Sequence, residues 1–281
     1  MGEEFTTHIW ALIKGEAFIA AKEEPMLASF YHSALLKHET LGSALSYILA
    51  NKLSSSVMPA INIREIIDEA YFNEPSIIFD GACDIHAVKY RDPAAKHYST
   101  PLLYLKGFHA LQAYRISHWL WINGRQALAL FLQSQISSSL SVDIHPAARI
   151  GRGIMLDHAT GIVVGETAVI ENDVSILQGV TLGGTGKESG DRHPKIRKGV
   201  LIGAGAKILG NIEVGECSKV GAGSVVLHAV PPCATVAGIP AKIIGRSSGC
   251  VPSEDMDQNF IQSVLNTTSK HWLGNDSHPN V

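Results

Sequence analysis

The chain has 281 residues, enough for one large domain or two smaller ones, and 46% of it is hydrophobic, which excludes a chain too polar to bury a core. Asp, Glu, Lys and Arg reach only 17%, and the net charge is -3. That balance leaves no basic footprint for phosphate backbones or anionic lipid.

The first residues, Met1-Gly2-Glu3-Glu4, are acidic where a signal peptide is basic, and no apolar h-region follows. Gly2 with Thr6 matches the loose myristoylation pattern, a short match that chance supplies. No window approaches the roughly 20 apolar residues a bilayer demands; the longest uncharged tract, Gln126 to Val142, is diluted by Gln and Ser. Cys83, Cys217, Cys233 and Cys250 form no C-x-x-C pair, so reduced thiols in a cytoplasm are expected.

Residues 1–140 carry helical spacing. Leu41, Leu45, Ile48 and Leu49 follow Thr40, an N-cap candidate; Ile63, Ile66, Ile67, Ala70 and Tyr71 fall at i, i+3, i+4, i+7, i+8; Leu128, Phe131 and Leu132 repeat the start of that pattern. Pro59, Pro93, Pro101 and Gly107 stand where such helices start, stop or bend. The Met, Tyr and Trp of this half read as core packing, leaving Asp92 as its one candidate site residue.

From about residue 141 the period changes. Steps of six from Ile144 reach Ile150, Leu156, Ile162, Ala168, Val174 and Val180; steps of six from Ile196 reach Ile202, Ile208, Val214, Val220 and Val226. Six fits neither a helix nor a two-sided strand, but it is the hexapeptide signature of a parallel β-helix. Three hexads make one triangular coil with the aliphatic residue pointing inward. All 19 aromatic residues (8 Phe, 7 Tyr, 4 Trp) lie outside residues 144–245, as a narrow interior requires. The glycines after inward positions suit tight corners.

The two registers do not join. Between Val180 and Ile196 the stretch 183–194 reads as an extruded loop ending in Arg192-His193, and loops on rigid scaffolds often carry function. A tolerated surface insertion is the plain alternative. Residues 246–281 read as a flexible tail.

Motif chemistry narrows the site. Gly183-Gly184-Thr185-Gly186-Lys187 fails as a phosphate-binding P-loop, because Thr181 and Glu188 occupy the positions that demand Gly and Ser or Thr. Gly203-Ala204-Gly205 and Gly221-Ala222-Gly223 fail as dinucleotide fingerprints and read as coil corners. His145, His158, His193 and His228 lie too far apart in sequence to clamp a metal, so no metal is expected. His158 follows Asp157, and Asp143 stands 15 residues earlier, near enough to one coil for carboxylate and imidazole to meet on one flank. A carboxylate orienting an imidazole that takes a hydroxyl proton is the Asp-His part of a triad. On spacing alone, an ordinary hydrogen-bonded surface histidine is an equal alternative.

The hexad array, the runs Asp143-Ile144-His145-Pro146 and Leu156-Asp157-His158-Ala159-Thr160-Gly161, the stretch Thr181-Leu182-Gly183-Gly184-Thr185 with Asp191-Arg192-His193-Pro194-Lys195, and Ala237-Gly238-Ile239-Pro240-Ala241 together resemble the bacterial serine O-acetyltransferases. The likeness extends to Pro25-Met26-Leu27-Ala28-Ser29-Phe30-Tyr31 and Leu41-Gly42-Ser43-Ala44-Leu45. It implies an α+β chain: a helical domain over 1–140, a left-handed parallel β-helix over 141–245 and the tail 246–281. It further implies acetyl transfer from acetyl-CoA to L-serine for cysteine synthesis, with inhibition by L-cysteine at the serine site. On matching positions, His158 would be the general base and Asp143 would fix its tautomer. Asp92 and Asp157 would hold the substrate ammonium, and Arg192 and His193 its carboxylate. Gly184 is the candidate oxyanion donor, and CoA would lie along a groove between subunits against Ala204 and Ala222, with Lys219 and Lys242 for its phosphates. Trimers pairing into hexamers are expected, as is a complex with O-acetylserine sulfhydrylase through the C-terminal peptide. That peptide ends in Val281 where many members end in isoleucine. Two alternatives stay open: an acyltransferase acting on another hydroxyl, and a non-catalytic β-helix scaffold.

Overall fold

The computed structural model describes residues 2–186, 189–246 and 251–258. The long helix α1 (Gly2–Glu23) is followed by short turns from Pro25 to Leu36 that include α2 (Ala28–Tyr31). Then come α3 (Leu41–Leu53), α4 (Ala60–Asn73), α5 (Ser76–Arg91), α6 (Ser99–Tyr104), α7 (Lys106–Ile122) and α8 (Gln126–Leu140). Thr40 caps α3 as its sequence predicts, its side chain accepting from Ser43 N while the Ser43 hydroxyl accepts from Thr40 N. Pro59 precedes α4, whose expected face, Ile63 to Tyr71, is buried.

The expected face of α8 is rotated. Ala129, Leu132, Ile136 and Leu140 are buried, whereas Leu128 and Phe131 are half-buried. The small Ala129 lets α7 come close enough for the Ser117 hydroxyl to donate to the Ala129 carbonyl at 2.8 Å. The aromatic residues also divide: Trp10, Tyr71, Tyr114 and Trp119 enter the core, while Tyr90 and Tyr104 stay exposed.

After Leu140 the chain turns through Ser141 and enters the solenoid. One sheet stacks β1 (Val142–Ile144), β4 (Ile162–Val164), β7 (Thr181–Gly183), β10 (Lys207–Leu209) and β13 (Val225–Val226). The second holds β2 (Arg149–Ile150), β5 (Val169–Ile170), β8 (Lys195–Ile196) and β11 (Glu213–Val214). The third holds β3 (Met155–Asp157), β6 (Ser175–Leu177), β9 (Leu201–Ile202), β12 (Lys219–Val220) and β14 (Ala234–Gly238), closed by the antiparallel β15 (Ala241–Arg246). All other pairings are parallel, and the left-handed β-helix makes about 5 turns.

Of the thirteen hexad positions, all but the half-buried Ile150 are buried. Each fully buried Ile, Leu or Val contributes about 1.5–3 kcal/mol, so the column holds the stack together, with Ala168 its weak rung. The registry shows a detail that period alone hides. Inward residues on the first sheet stack as Ile144, Val164, Leu182, Ile208 and Val226. Inward Ile162 and Val180 belong instead to a second interior column two residues earlier, beside Val142. The hexad series from Ile144 therefore crosses between columns. The crossing marks an extra pair of residues: from Leu156 to Val164 eight positions pass, whereas from Ile176 to Leu182 six suffice. The enlarged corner is Asp157 to Gly161. The second irregularity, from Leu182 to Ile196, is the predicted loop.

Buried charge docks the helices on the coils. Asp84, on α5, accepts from Gln112 Nε2 at 2.9 Å, Arg115 Nη2 at 2.7 Å and Ile154 N at 2.9 Å; Arg115 also donates to the Gly151 carbonyl at 2.8 Å. Arg91 donates to the Gly153 carbonyl at 2.8 Å and the Ser175 hydroxyl at 3.2 Å. Residues 251–258, with α9 (Pro252–Asp255), return to this junction, where the Ser253 carbonyl accepts from Ser175 Oγ at 2.8 Å.

Candidate active site

The enlarged corner carries His158. His158 and Ala159 both take left-handed backbone angles (φ 54° and 60°), so the side chain is thrown outward, and the imidazole is 75% exposed. Its Nε2 lies 3.8 Å from Asp157 Oδ1. The corner is held from the helical side: Lys106 Nζ donates to Thr160 Oγ1, and α7 packs so closely at Gly107 that a β-carbon there would stand 2.1 Å from the Leu156 carbonyl oxygen. Asp92 caps the end of α5, and its Oδ1 accepts from Ala94 N at 2.8 Å. Asp92, Tyr104, Lys106, Phe108, Asp157 and His158 line one cleft of about 360 Å³. Burial pushes the Asp157 carboxyl up, and the like charge of Asp92 adds to the shift while His158 opposes it. The chain thus assembles an imidazole and two interacting carboxyls in a cleft, an arrangement suited to gripping an ammonium and removing a nearby proton.

Arg192 and His193 stand on a different corner, between the first and second sheets, where the loop rejoins the solenoid. Arg192 Nη2 pairs with Glu166 Oε2 at 2.7 Å, which holds the Glu166 carboxyl low. His193 is buried; that burial and the Arg192 charge hold its imidazole below the usual range, against the pull of Glu166. His145 joins this group. Burial lowers it, Glu166 and Asp143 raise it, Arg192 lowers it, and its ring meets Trp121 edge-on at 5.0 Å. Asp143 lies on the first sheet between the two corners, and its Oδ1 accepts from Gln133 Nε2 at 2.7 Å. Asp143 and His158 share no hydrogen bond or ion pair among the described residues. The coil is 20 residues at this level, from Val142 to Ile162, two more than three hexads.

The remaining candidates divide similarly. Gly184 directly follows β7, at the start of the loop, and packs on Arg192. Ala204 and Ala222 occupy the corner above His158: Gly179 N donates to the Thr160 carbonyl, Gly205 N to the Gln178 carbonyl and Gly223 N to the Ala204 carbonyl, each at 2.8 Å. These small residues form a ladder rising from the catalytic candidate. Lys219 is on the third sheet with its ammonium 3.4 Å from Asp257 Oδ2, away from that ladder, and Lys242 is exposed on β15. Among the described residues no group of three or more His, Cys, Asp and Glu is placed to hold a metal, and no helix is long and apolar enough to cross a membrane. No motif in the sequence distinguishes Lys106, Glu166 and Thr167 from surface residues, and His145 is weighed there only as a metal ligand.

Comparison with known proteins decides the family. The family described as serine acetyltransferase, N-terminal, matches residues 9–113, and the bacterial transferase hexapeptide family matches residues 193–228. A serine acetyltransferase of Escherichia coli (strain K12) is 72% identical over 252 residues, 90% of this chain and 92% of its own length. The chain belongs to the serine acetyltransferase family. The solved serine acetyltransferase of Vibrio cholerae superposes with a TM-score of 0.90 at 66% identity, covering 91% of this chain and 99% of that one. A serine acetyltransferase solved with cysteine gives 0.89 at 66% identity over 90% and 99%, and one solved with CoA gives 0.83 at 67% over 85% and 100%. The family member of Neisseria gonorrhoeae was solved with serine, with a TM-score of 0.81 at 56% identity over 83% and 96%.

Proposed function

We propose that the chain transfers the acetyl group of acetyl-CoA to the hydroxyl of L-serine, giving O-acetyl-L-serine and CoA, the step that commits serine to cysteine. The observation that carries this reading is the ladder of small corner residues, Gly179, Ala204 and Ala222, that descends to Thr160 on the corner that also carries His158. An extended thioester laid along it presents its carbonyl to a hydroxyl held beside His158. The relatives solved with CoA, serine and cysteine support the same ligands here, with cysteine competing for the serine site.

In this mechanism His158 takes the proton from the serine hydroxyl as its oxygen attacks the thioester carbon. The imidazolium then protonates the departing CoA thiolate. Asp92 and Asp157 hold the ammonium, and the Arg192 fork with His193 takes the carboxylate. The charge that grows on the thioester oxygen needs a preorganised N–H, for which Gly184 is the candidate. Ala204 and Ala222 would wall the pantetheine, with Lys219 and Lys242 toward the phosphates.

Because His158 and the Arg192-His193 pair occupy separate corners, a homotrimer supplies the complete site, one subunit's first corner facing the next one's loop. Asp143 would reach the imidazole across the same junction. Trimers pairing through the helical half give the hexamer, in a bacterial cytoplasm. The peptide Ser277-His278-Pro279-Asn280-Val281, which lies outside the described residues, is the proposed contact with O-acetylserine sulfhydrylase; a pull-down unaffected by removing Asn280 and Val281 rejects it.

The test of the whole reading is CoA release from acetyl-CoA with and without L-serine, then with L-cysteine. His158→Ala should lower turnover by about 10²–10⁴-fold, the usual worth of a general base, in an oligomer of unchanged size. A loss below about threefold removes His158 from this role.

A further inference from the structure

Thr167 lies between β4 and β5, one coil below the end of the loop. Its hydroxyl oxygen accepts the backbone N–H groups of Arg192 at 3.0 Å and His193 at 3.1 Å, and stands 2.9 Å from His193 Nδ1. The N–H of Thr167 points at the same Nδ1 at 3.2 Å. A backbone N–H can only donate, so Nδ1 is the accepting nitrogen and the ring proton sits on Nε2. The Thr167 carbonyl accepts from Lys195 Nζ at 3.0 Å, whose other bonds run to Asp191 Oδ1 and the His193 carbonyl, both at 2.6 Å. Gly165 leaves the ring its place, since a β-carbon there would stand 2.0 Å from Nε2. Nε2 itself makes no hydrogen bond among the described residues.

We infer that Thr167 is a positioning residue for the acceptor amino acid: it fixes the Nε2–H tautomer of His193, so that donor is set for the substrate carboxylate before it arrives, and it fixes the backbone from which Arg192, paired with Glu166 in the free chain, reaches the same carboxylate. The inference rests on the reading that this pair takes the carboxylate. Donors already in place pay no ordering entropy on binding. The hydroxyl uses both lone pairs on the Arg192 and His193 backbone N–H groups, and its proton faces both His193 Nδ1 and the Asp191 carboxylate. With the imidazole held below its usual range by burial and Arg192, the ring stays neutral and keeps Nδ1 free to accept near neutral pH.

The test compares Thr167→Val, Thr167→Ala and Thr167→Ser with His193→Gln in steady-state assays varying L-serine and acetyl-CoA separately, with L-cysteine inhibition measured alongside. Val keeps the shape and Ala empties the site, so one of them reports if the other fails to fold; Ser restores the hydroxyl. Val and Ala should raise the KM for L-serine and the inhibition constant of L-cysteine together by about tenfold, the scale of one lost buried hydrogen bond. The KM for acetyl-CoA should not move, and Ser should recover most of the loss. If His193→Gln raises the serine KM while Val and Ala leave it unchanged, or raise both KM values equally, the role of Thr167 is overturned and the carboxylate reading stands. If His193→Gln leaves the serine KM unchanged, the carboxylate reading itself fails.

Discussion

Replacing Gly107 by alanine should reverse the sign of an ordinary helix substitution. Within a helix, alanine is favoured over glycine by about 1 kcal/mol. At position 107, however, the new β-carbon would meet the Leu156 carbonyl oxygen at 2.1 Å, its carbon at 3.1 Å and the Ala159 β-carbon at 2.9 Å. Relief requires α7 and the corner to part by about 1.4 Å, because non-bonded atoms rest near 3.5 Å. Overpacking of this kind costs about 1–3 kcal/mol. Net destabilisation of up to about 2 kcal/mol remains after the propensity gain. The displaced corner carries Asp157 and His158, and a misplacement of about 1 Å can cost roughly 10²-fold in rate. Urea titration and CoA release measure the two effects. Gly15→Ala is the control: nothing lies within 4 Å of its added β-carbon, so it should gain about 0.5–1 kcal/mol at unchanged activity. A Gly107→Ala protein as stable and as active as its parent would refute the close-approach argument.

Arg115→Ala should lower the urea midpoint by an amount worth about 3–5 kcal/mol, because it strands the fully buried Asp84 carboxyl; a change under about 1 kcal/mol would mean that this junction does not hold the halves together. The raised Asp157 carboxyl predicts that L-serine binding weakens as pH falls through a value above the usual carboxylate range, since the ammonium needs an ionised partner. Asp92→Asn removes the like charge and should move that acid limb to lower pH while weakening binding overall. Calorimetry in a His158→Ala background keeps the imidazole out of the titration, and a limb that stays or rises contradicts the coupling.

Period was the informative signal for the solenoid, because only a narrow triangular interior demands an aliphatic residue every six positions. The loop was legible for the same reason: Val180 to Ile196 breaks the count visibly. The enlarged corner at Asp157 to Gly161 was not, because the residue two positions earlier in each strand also faces inward. Ile162 is as aliphatic as Val164, so the slipped count met no contradiction. The pairing of Asp143 with His158 rested on that unslipped count, whereas the coil there is 20 residues long. The α8 face was misread because Ala129, the residue that permits close approach to α7, carries little apolar weight in a spacing argument. Thr167 and Glu166 were invisible since their partners lie 25 to 26 residues away, across the loop.

Both departures from the six-residue rule place an imidazole, His158 on the enlarged corner and His193 at the loop's end, and they do so on different corners of one triangle. In the proposed trimer, a closed ring of identical subunits would turn that separation into a site, since a cyclic contact sets one corner of each chain against a different corner of the next. Mixing tests the consequence. His158→Ala and the double variant Arg192→Ala with His193→Ala should each be inactive alone. Refolded together at equal amounts, a site that draws its corner and its loop from neighbouring chains finds both intact in about a quarter of cases, giving roughly a quarter of parental turnover. A site built within one chain would recover nothing, because every chain carries one of the two lesions. Activity that stays at the level of the separate variants, in oligomers shown to be mixed, would sink the shared-site arrangement.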